Sequence, residues 1–219
     1  MYPYVLLKTG RPDQSLKAFL AYDVFYPLED KYHVGSLFPY FAMAVSDANQ
    51  RNALTNISKL LNVHASDPGN IFETSLSRAV VDAALARDDD SFNALTKAYR
   101  NIQYDPEGLL GNWYTLIQVA AWIHKKTGDD RFIDRAVEWA RMHEVILPQD
   151  AWAYAFEARY AKRRSDRVRA AAFAEYLDPK SEWLSEVPAS IRRQAHAWWP
   201  AHNPFKIKQD QDTKRKVTL

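Results

Sequence analysis

Apolar residues recur along most of the chain at intervals of three and four positions, which is the spacing of one buried face of an α-helix. The strict apolar-polar alternation of a half-buried strand is absent. The pattern leaves open whether the apolar sets at 41–45 and 53–61 belong to one helix or to two. It predicts an all-α protein with helices near residues 13–26, 36–45, 53–61, 72–83, 92–102, 113–127, 132–140, 150–163, 165–177 and 189–199.

Turn residues separate these segments and indicate antiparallel hairpins. Gly128 stands where a helix end favours a left-handed residue, and Asp129 stands where the next helix needs an N-cap. Asp88-Asp89-Asp90 is predicted to stop one helix and cap the next, and Asp178-Pro179 to close the segment 165–177. Short connections of this kind join neighbouring helices in antiparallel pairs.

The turns recur at a nearly constant interval. Asp90-Ser91-Phe92 lies 40 residues before Asp130-Arg131-Phe132, and Ser165-Asp166 lies 37 residues after Gly128-Asp129. Periods of about 35 to 40 residues are typical of stacked helix pairs. The sequence therefore contains a weak internal repeat.

The motifs of this repeat resemble a known family. The turn Thr127-Gly128-Asp129, followed by Ala136, Val137 and Ala140, and the closing Leu177-Asp178-Pro179 resemble the tetratricopeptide repeat over about residues 71–180. The resemblance implies antiparallel helical hairpins that stack as a right-handed solenoid. It also implies that the first helix of each pair lines a concave binding surface.

The chain departs from the tetratricopeptide pattern at Ile133, where that family has a small residue, and at Glu157, which falls where the first helix should be buried. Its repeats would therefore be degenerate. With 219 residues the chain suits a single helical-repeat domain at 1–205, followed by a polar, flexible tail at 206–219. Because Lys8-Thr9-Gly10 also matches the inter-helix turn, we expect the chain to be the C-terminal part of a longer protein.

Composition excludes several classes of protein. The chain has 47% hydrophobic and 26% charged residues, as folded proteins do. Its best apolar run, at 116–123, is far shorter than the roughly 18 residues of a membrane span, so we expect a soluble protein. The absence of Cys excludes disulfides and thiolate metal sites but leaves the compartment open, with the cytoplasm slightly favoured over the periplasm.

No residue pattern predicts catalysis, a metal or a cofactor. None of the six His residues has another at the i,i+4 spacing of a helical metal site. The acidic row Asp130, Asp134 and Glu138 alternates with Arg131 and Arg135, which is typical of a solvated, salt-bridged helix face. Phosphate loops and nucleophile elbows are absent from the sequence. We therefore expect a protein that is not an enzyme.

A second resemblance leaves an enzyme as the alternative. Gly111-Asn112-Trp113, followed by Thr127-Gly128-Asp129, is similar to segments of α/α-toroid glycoside hydrolases and polysaccharide lyases. Those enzymes place carboxylates, or Tyr with His, in a cleft among aromatic rings. Under this alternative the chain is a fragment of a carbohydrate-active enzyme. The residues that offer such a cluster are Glu107, Trp113, Tyr114 and Trp122.

Charge is distributed unevenly along the chain. Residues 159–219 contain 14 Lys and Arg against 7 Asp and Glu, whereas residues 1–158 contain 15 against 20. A basic C-terminal third favours an acidic partner. On the helix faces that would line the concave surface, the predicted ligand-binding residues are Arg78, Trp122, Lys125, Lys126, Trp152, Arg159, Lys162 and Arg163.

Such a basic and aromatic groove suits an acidic protein or peptide, because cations bind carboxylates through charge-assisted hydrogen bonds and Trp rings add contact area. Nucleic acid and anionic polysaccharide stay open as partners, although no motif supports either. The competing interpretation is that these Lys and Arg side chains only solvate exposed helices. The sequence favours a non-catalytic scaffold that binds a protein or peptide.

We predict that the polar tail at 206–219 contributes little to folding, because it has no apolar periodicity to bury. Deletion of these residues should leave the melting temperature within about two degrees of that of the intact chain, as measured by circular dichroism. A larger loss would show that Ile207 or Val217 packs against the last helices.

Overall fold

The computed structural model describes residues 38–49, 51–64, 71–102 and 109–204, together with the single positions 11, 14, 17 and 18. Within these residues the regular elements are all helices and no strand occurs, so the predicted all-α class is confirmed. Stacking as a right-handed solenoid stays a prediction. The helices are α1 (Phe38–Asp47), α2 (Arg51–His64), α3 (Ile71–Ala84), α4 (Asp88–Arg100), α5 (Leu109–Thr127), α6 (Asp130–Ile146), α7 (Ala151–Tyr160), α8 (Arg164–Leu177), a 3-10 helix (Glu182–Glu186) and α9 (Ala189–His202).

The first two described helices answer the question that the sequence left open. The apolar sets at 41–45 and 53–61 belong to two helices, α1 and α2, and Asn49 in the connection has a positive φ of 58°. Asn tolerates the left-handed region better than most residues. The predicted tail at 206–219 lies outside the described residues, as does the predicted helix at 13–26 apart from positions 14, 17 and 18, which are helical.

The turn between α5 and α6 has the predicted geometry. Gly128 has a φ of 76°, and Asp129 caps α6 by accepting a hydrogen bond from the Arg131 backbone N–H at 2.9 Å. The acidic run at 88–90 differs slightly from the expectation, because it forms the first turn of α4 and Arg87 occupies the N-cap position. Carboxylates are favourable in that turn, where the helix dipole is positive.

Two compact units divide the chain, Met1–Ala136 and Val137–Leu219, and the boundary falls within α6. In the N-terminal unit α3 is the central helix and packs against α1, α2, α4 and α5. Its buried residues include Leu76, Val80 and Val81, which are fully enclosed. A helix that is apolar or small on several faces can contact several neighbours, which accounts for its central position.

The starts of α4 and α6 are held together within the N-terminal unit. Ser91 Oγ first ties α4 to α3 by donating to the Ala79 carbonyl at 2.7 Å. Phe92 then packs edge-on against Phe132, with 5.5 Å between ring centroids. Arg131 lies over the Phe92 ring and pairs with Asp89 at 2.9 Å. These contacts join residues that the sequence comparison had aligned as a repeat.

In the C-terminal unit α8 packs against α7, α9 and the 3-10 helix. Ala170, Ala171 and Ala174 are fully buried on α8, and their small side chains let neighbouring helices approach closely. Leu184 of the 3-10 helix and Ile191 of α9 complete the same core. No helix in the described part of the chain is long and apolar enough to span a bilayer.

We predict that Gly128→Ala destabilises the protein by about 1 kcal/mol, because an L-residue is strained at a φ of 76°. The added Cβ meets nothing within 4 Å, so backbone strain and not a clash is the cause. Gly128→Asn is the matched control and should cost less, since Asn tolerates this conformation. Urea unfolding measures both, and unchanged stability of the Ala variant would contradict the prediction.

Candidate functional site

Four of the predicted ligand-binding residues lie in the N-terminal unit. Arg78 is held by α2, because its guanidinium donates to Ser58 Oγ at 2.8 Å and to Asn62 Oδ1 at 2.6 Å. Arg78 therefore joins two helices of the unit. On α5 the remaining three residues lie close together. Trp122 Nε1 donates to Asp47 Oδ2 at 3.3 Å, Lys126 Nζ is 5.9 Å from the Trp122 ring centroid, and Lys125 is exposed.

The other four lie in the C-terminal unit. Trp152 is only 6% exposed, so most of its ring lies in the core. Arg159 pairs with Glu186 of the 3-10 helix and lies over the Tyr160 ring, 4.8 Å from its centroid. Lys162 and Arg163 are exposed where α7 gives way to α8. The structure brings Lys126 and Trp122 together in the N-terminal unit, whereas Trp152 and the pair Lys162 and Arg163 lie at opposite ends of α7. A groove common to all eight stays a prediction.

The connection from α7 to α8 forms a basic turn, which consists of Lys162, Arg163 and Arg164. All three side chains are exposed, and Arg163 occupies the N-cap position of α8 without making a side-chain cap. Arg164 Nε donates to Gln194 Oε1 at 3.0 Å, so the turn is fixed against α9. The positive end of the α8 dipole adds to the charge of these side chains. This turn can attract an anion.

A buried carboxylate organises the same unit. Glu157 on α7 is fully buried, although carboxylates are rarely buried unless they are paired. Arg141 Nε on α6 donates to its Oε1 at 2.6 Å, and Arg169 Nη2 on α8 donates to its Oε2 at 2.5 Å. Arg141 also donates to Asp166 at 2.7 Å. Both oxygens of Glu157 are therefore bound by guanidinium groups from two different helices.

Glu144 on α6 lies beside this network and is 7% exposed. Its Oε2 is 3.6 Å from Arg169 Nη2, and its Oε1 has no hydrogen-bond partner among the described residues. Burial, followed by the negative charge of Glu157, raises the pKa of Glu144 to about 8. Glu144 is therefore largely protonated at neutral pH. A neutral acid of this kind is suited to proton donation, but neither carboxylate lines the cleft that opens in the same unit.

This cleft has a volume of about 570 Å³ and lies at the start of α7, between that helix, the end of α8 and the 3-10 helix. Trp152 and Trp183 meet there nearly at right angles, with 6.4 Å between ring centroids. Asp150, Asp178 and Glu182 line it with carboxylates and Lys180 with an ammonium group.

Asp150 is the carboxylate of this cleft that is held by two hydrogen bonds. Its Oδ1 caps α7 by accepting from the Trp152 backbone N–H at 3.0 Å, and its Oδ2 lies 2.8 Å from His143 Nε2. Because a carboxylate only accepts, Nε2 carries the proton of that hydrogen bond. The hydrogen bond from His143 lowers the pKa of Asp150. The carboxylate is thus held in position in its charged form.

Sequence reasoning identified Asp150 only as a helix start and Glu157 only as a departure from a family pattern. It missed Glu144, the pairing of His143 with Asp150, and the cleft. One signal was present, because Arg141 and Arg169 lie 16 residues before and 12 residues after Glu157. An acid in an Ala-rich helix with Arg on both flanking helices indicates a buried ion pair.

Comparisons with known proteins add no relative, since no protein-family model, no curated protein and no solved structure matches the chain. The tetratricopeptide-like interpretation and the toroid-enzyme interpretation therefore both stay predictions. In the described part of the chain no cluster of three or more His, Cys, Asp or Glu residues is arranged to bind a metal ion. Function has to be inferred from charge, exposure and shape.

We predict that Glu144→Gln reduces the loss of stability at alkaline pH. Glu144 has a pKa of about 8 in the folded chain against an ordinary value of 4.5, so the folded state binds its proton more tightly than the unfolded state. Its contribution to stability is therefore largest below pH 4.5 and falls as the pH rises towards 8. Gln mimics the protonated form and does not titrate.

Urea unfolding at pH 5 and pH 8 measures this effect. Between these pH values the free energy of unfolding of the variant should fall by about 3 kcal/mol less than that of the wild type. Glu138→Gln is the control, because it removes a carboxyl group from an exposed position of the same helix. If Glu144→Gln and the wild type lose stability equally, Glu144 is not the buried neutral acid.

Proposed function

We propose that this protein is a non-catalytic helical-repeat scaffold of the tetratricopeptide-like kind, which binds an acidic protein or peptide. The observation that carries the binding proposal is the basic turn, in which three consecutive cationic side chains are exposed at the start of a helix. The repeat and the binding each have their own support.

Support for a repeat comes from the order and packing of the hairpins. Three successive pairs of helices begin at Ile71, Leu109 and Ala151, and the two helices of the first pair and of the third pack against each other. Helices α4 and α6 are the second helices of the first two pairs, and their first turns meet where Phe92 packs against Phe132. Equivalent elements of successive repeats contact each other in helical solenoids, so this contact supports the proposed repeat.

Support for an anionic ligand comes from the exposure of the predicted cations in the C-terminal unit. Arg159 is half-buried and pairs with Glu186. Lys162 and Arg163 are exposed beside the positive end of α8, where a partner's carboxylate would gain from both side chains and from the helix dipole. We therefore place the main contribution to binding on the basic turn.

A second basic surface in the N-terminal unit supports the same class of partner. Lys125 and Lys126 are exposed in the last turn of α5, and Lys126 Nζ lies 5.9 Å from the centroid of the Trp122 ring. Cations in a last helical turn also interact favourably with the helix dipole, so part of their role is stability. Their proximity to an aromatic ring is what adds a contact surface for a peptide.

We predict that Lys162→Glu/Arg163→Glu weakens the binding of a labelled Glu-rich peptide at least tenfold. Fluorescence anisotropy at low ionic strength measures the affinity, with the matching Gln-rich peptide as the uncharged probe. Binding to the wild type should fall steeply with added salt, since the attraction is screened over about 8 Å at 0.15 M. The helix content should not change, because acidic residues are favourable at the start of a helix.

The matched control is Arg51→Glu/Lys59→Glu, which makes the same change of charge at two exposed positions of the N-terminal unit. It should leave the peptide affinity within about twofold of the wild type if binding is local and not a response to net charge. Equal affinity of the wild type and the Lys162→Glu/Arg163→Glu variant would overturn the proposal. A preference for single-stranded DNA or heparin over the Glu-rich peptide would overturn the choice of partner.

A further inference from the structure

The cleft at the start of α7 has a charge opposite to that of the basic turn. Its wall carries three carboxylates, Asp150, Asp178 and Glu182, against the single ammonium group of Lys180. Its volume of about 570 Å³ is in the range of sites for small organic ligands. A ligand that enters this space therefore meets a net negative wall.

Two of the carboxylates are positioned by the backbone. Asp150 is anchored by the Trp152 N–H and by His143, and Asp178 Oδ1 accepts from the Lys180 N–H at 3.1 Å. Each keeps the capacity to accept further hydrogen bonds, because a carboxylate has about four lone-pair sites. Glu182 is exposed in the first turn of the 3-10 helix. Two of the three carboxylates are thus held in position before any ligand arrives.

The aromatic side of the cleft is rigid as well. Trp152 packs edge-on against His143 at 6.0 Å and contacts Phe156 at 5.8 Å, measured between ring centroids. Trp183 meets Trp152 nearly perpendicularly. Trp152 is almost fully buried, so the indole that a ligand can reach is that of the half-buried Trp183. An indole beside carboxylates attracts a weakly hydrated organic cation, since ring faces and carboxylates both favour positive charge.

We infer that this cleft binds a guanidinium or alkylammonium group through Asp150, Glu182 and the indole of Trp183, which packs against the buried ring of Trp152. The inference does not rest on the proposed function, because it concerns other residues and a ligand of the opposite charge. A guanidinium group fits best, because its planar surface stacks on an indole while its N–H groups reach carboxylates. An anionic ligand would face the repulsion of three carboxylates.

The test uses N-acetyl-arginine methylamide as the cation and N-acetyl-citrulline methylamide as the neutral probe of nearly equal shape. Isothermal titration calorimetry of the full chain should show binding of the arginine probe with a Kd of about 1 mM and at least tenfold weaker binding of citrulline. Glu182→Gln should lower the affinity for the arginine probe about threefold or more, and Lys180→Gln should raise that affinity by a similar factor.

These two variants change exposed residues, so both should fold, and their opposite effects separate a charge interaction from a general disturbance of the cleft. Asp90→Asn is the control, because it removes an exposed carboxylate that does not line the cleft. Equal binding of the arginine and citrulline probes would overturn the inference. The inference would also be overturned if neither Glu182→Gln nor Lys180→Gln changed the affinity for the arginine probe.

The source of the cation is identified by a further comparison. A six-residue peptide with one central Arg should bind more tightly than the amino-acid probe if the natural ligand is a peptide side chain. Agmatine, a free alkylguanidine, should bind at least as tightly as the peptide if the ligand is a small molecule. Either result supports a cation site. If the Glu-rich peptide does not bind at the basic turn, the result for the cation site is unaffected, since the two tests change different residues.

Discussion

The burial of Glu157 is the constraint on which the C-terminal unit depends. A carboxylate that is removed from water is costly unless charged donors surround it, and removal of one partner costs about 3 to 5 kcal/mol. Here the donors are Arg141 from α6 and Arg169 from α8, so the three helices meet in the one arrangement that satisfies both oxygens. Apolar contacts among Ala residues tolerate sliding, whereas a pair of charged hydrogen bonds does not. The ion pair thereby defines the register of α7 between its neighbours.

That register positions both ends of α7. At its start, Asp150 is the N-cap and is bound by His143 from α6, which determines where the Trp152 ring and the cleft lie. At its end the chain turns into α8 through the basic turn, and Arg164 fastens that turn to α9. The side chains proposed to bind ligands thus project from a helix whose position is set by buried polar contacts. A rigid support of this kind lowers the entropic cost of binding.

The helices were largely predictable because their signals are local. Gly128 and Asp129 mark a turn whose geometry depends on these two residues alone. The apolar spacing of α3 or α6 likewise shows which face of the helix is buried, whichever helices pack against it. The candidate sites depend on tertiary placement instead. Helix α7 has small residues such as Ala153 and Ala158 on several faces and is buried nearly all round, so periodicity could not show that Trp152 lies mostly in the core. Nor could spacing show that His143 reaches Asp150, because that pairing depends on the path of the connection between α6 and α7.

The placement of opposite charges at the two ends of α7 has both a structural and a functional consequence. Asp150 lies at the positive end of the α7 dipole, so its charge is favourable without any ligand. Lys162 and Arg163 lie between the negative end of α7 and the positive end of α8, and the two dipoles act on them in opposite directions. Helix stability therefore accounts for the sign of Asp150 and not for that of the basic turn. It does not account for the exposure of the basic turn or for the open cleft beside two Trp rings, since neither feature improves folding. Helix α7 has 10 residues and is about 15 Å long, a distance that four or five extended residues cover. The two proposed sites thus lie at opposite ends of a helix that is about as long as a short extended peptide.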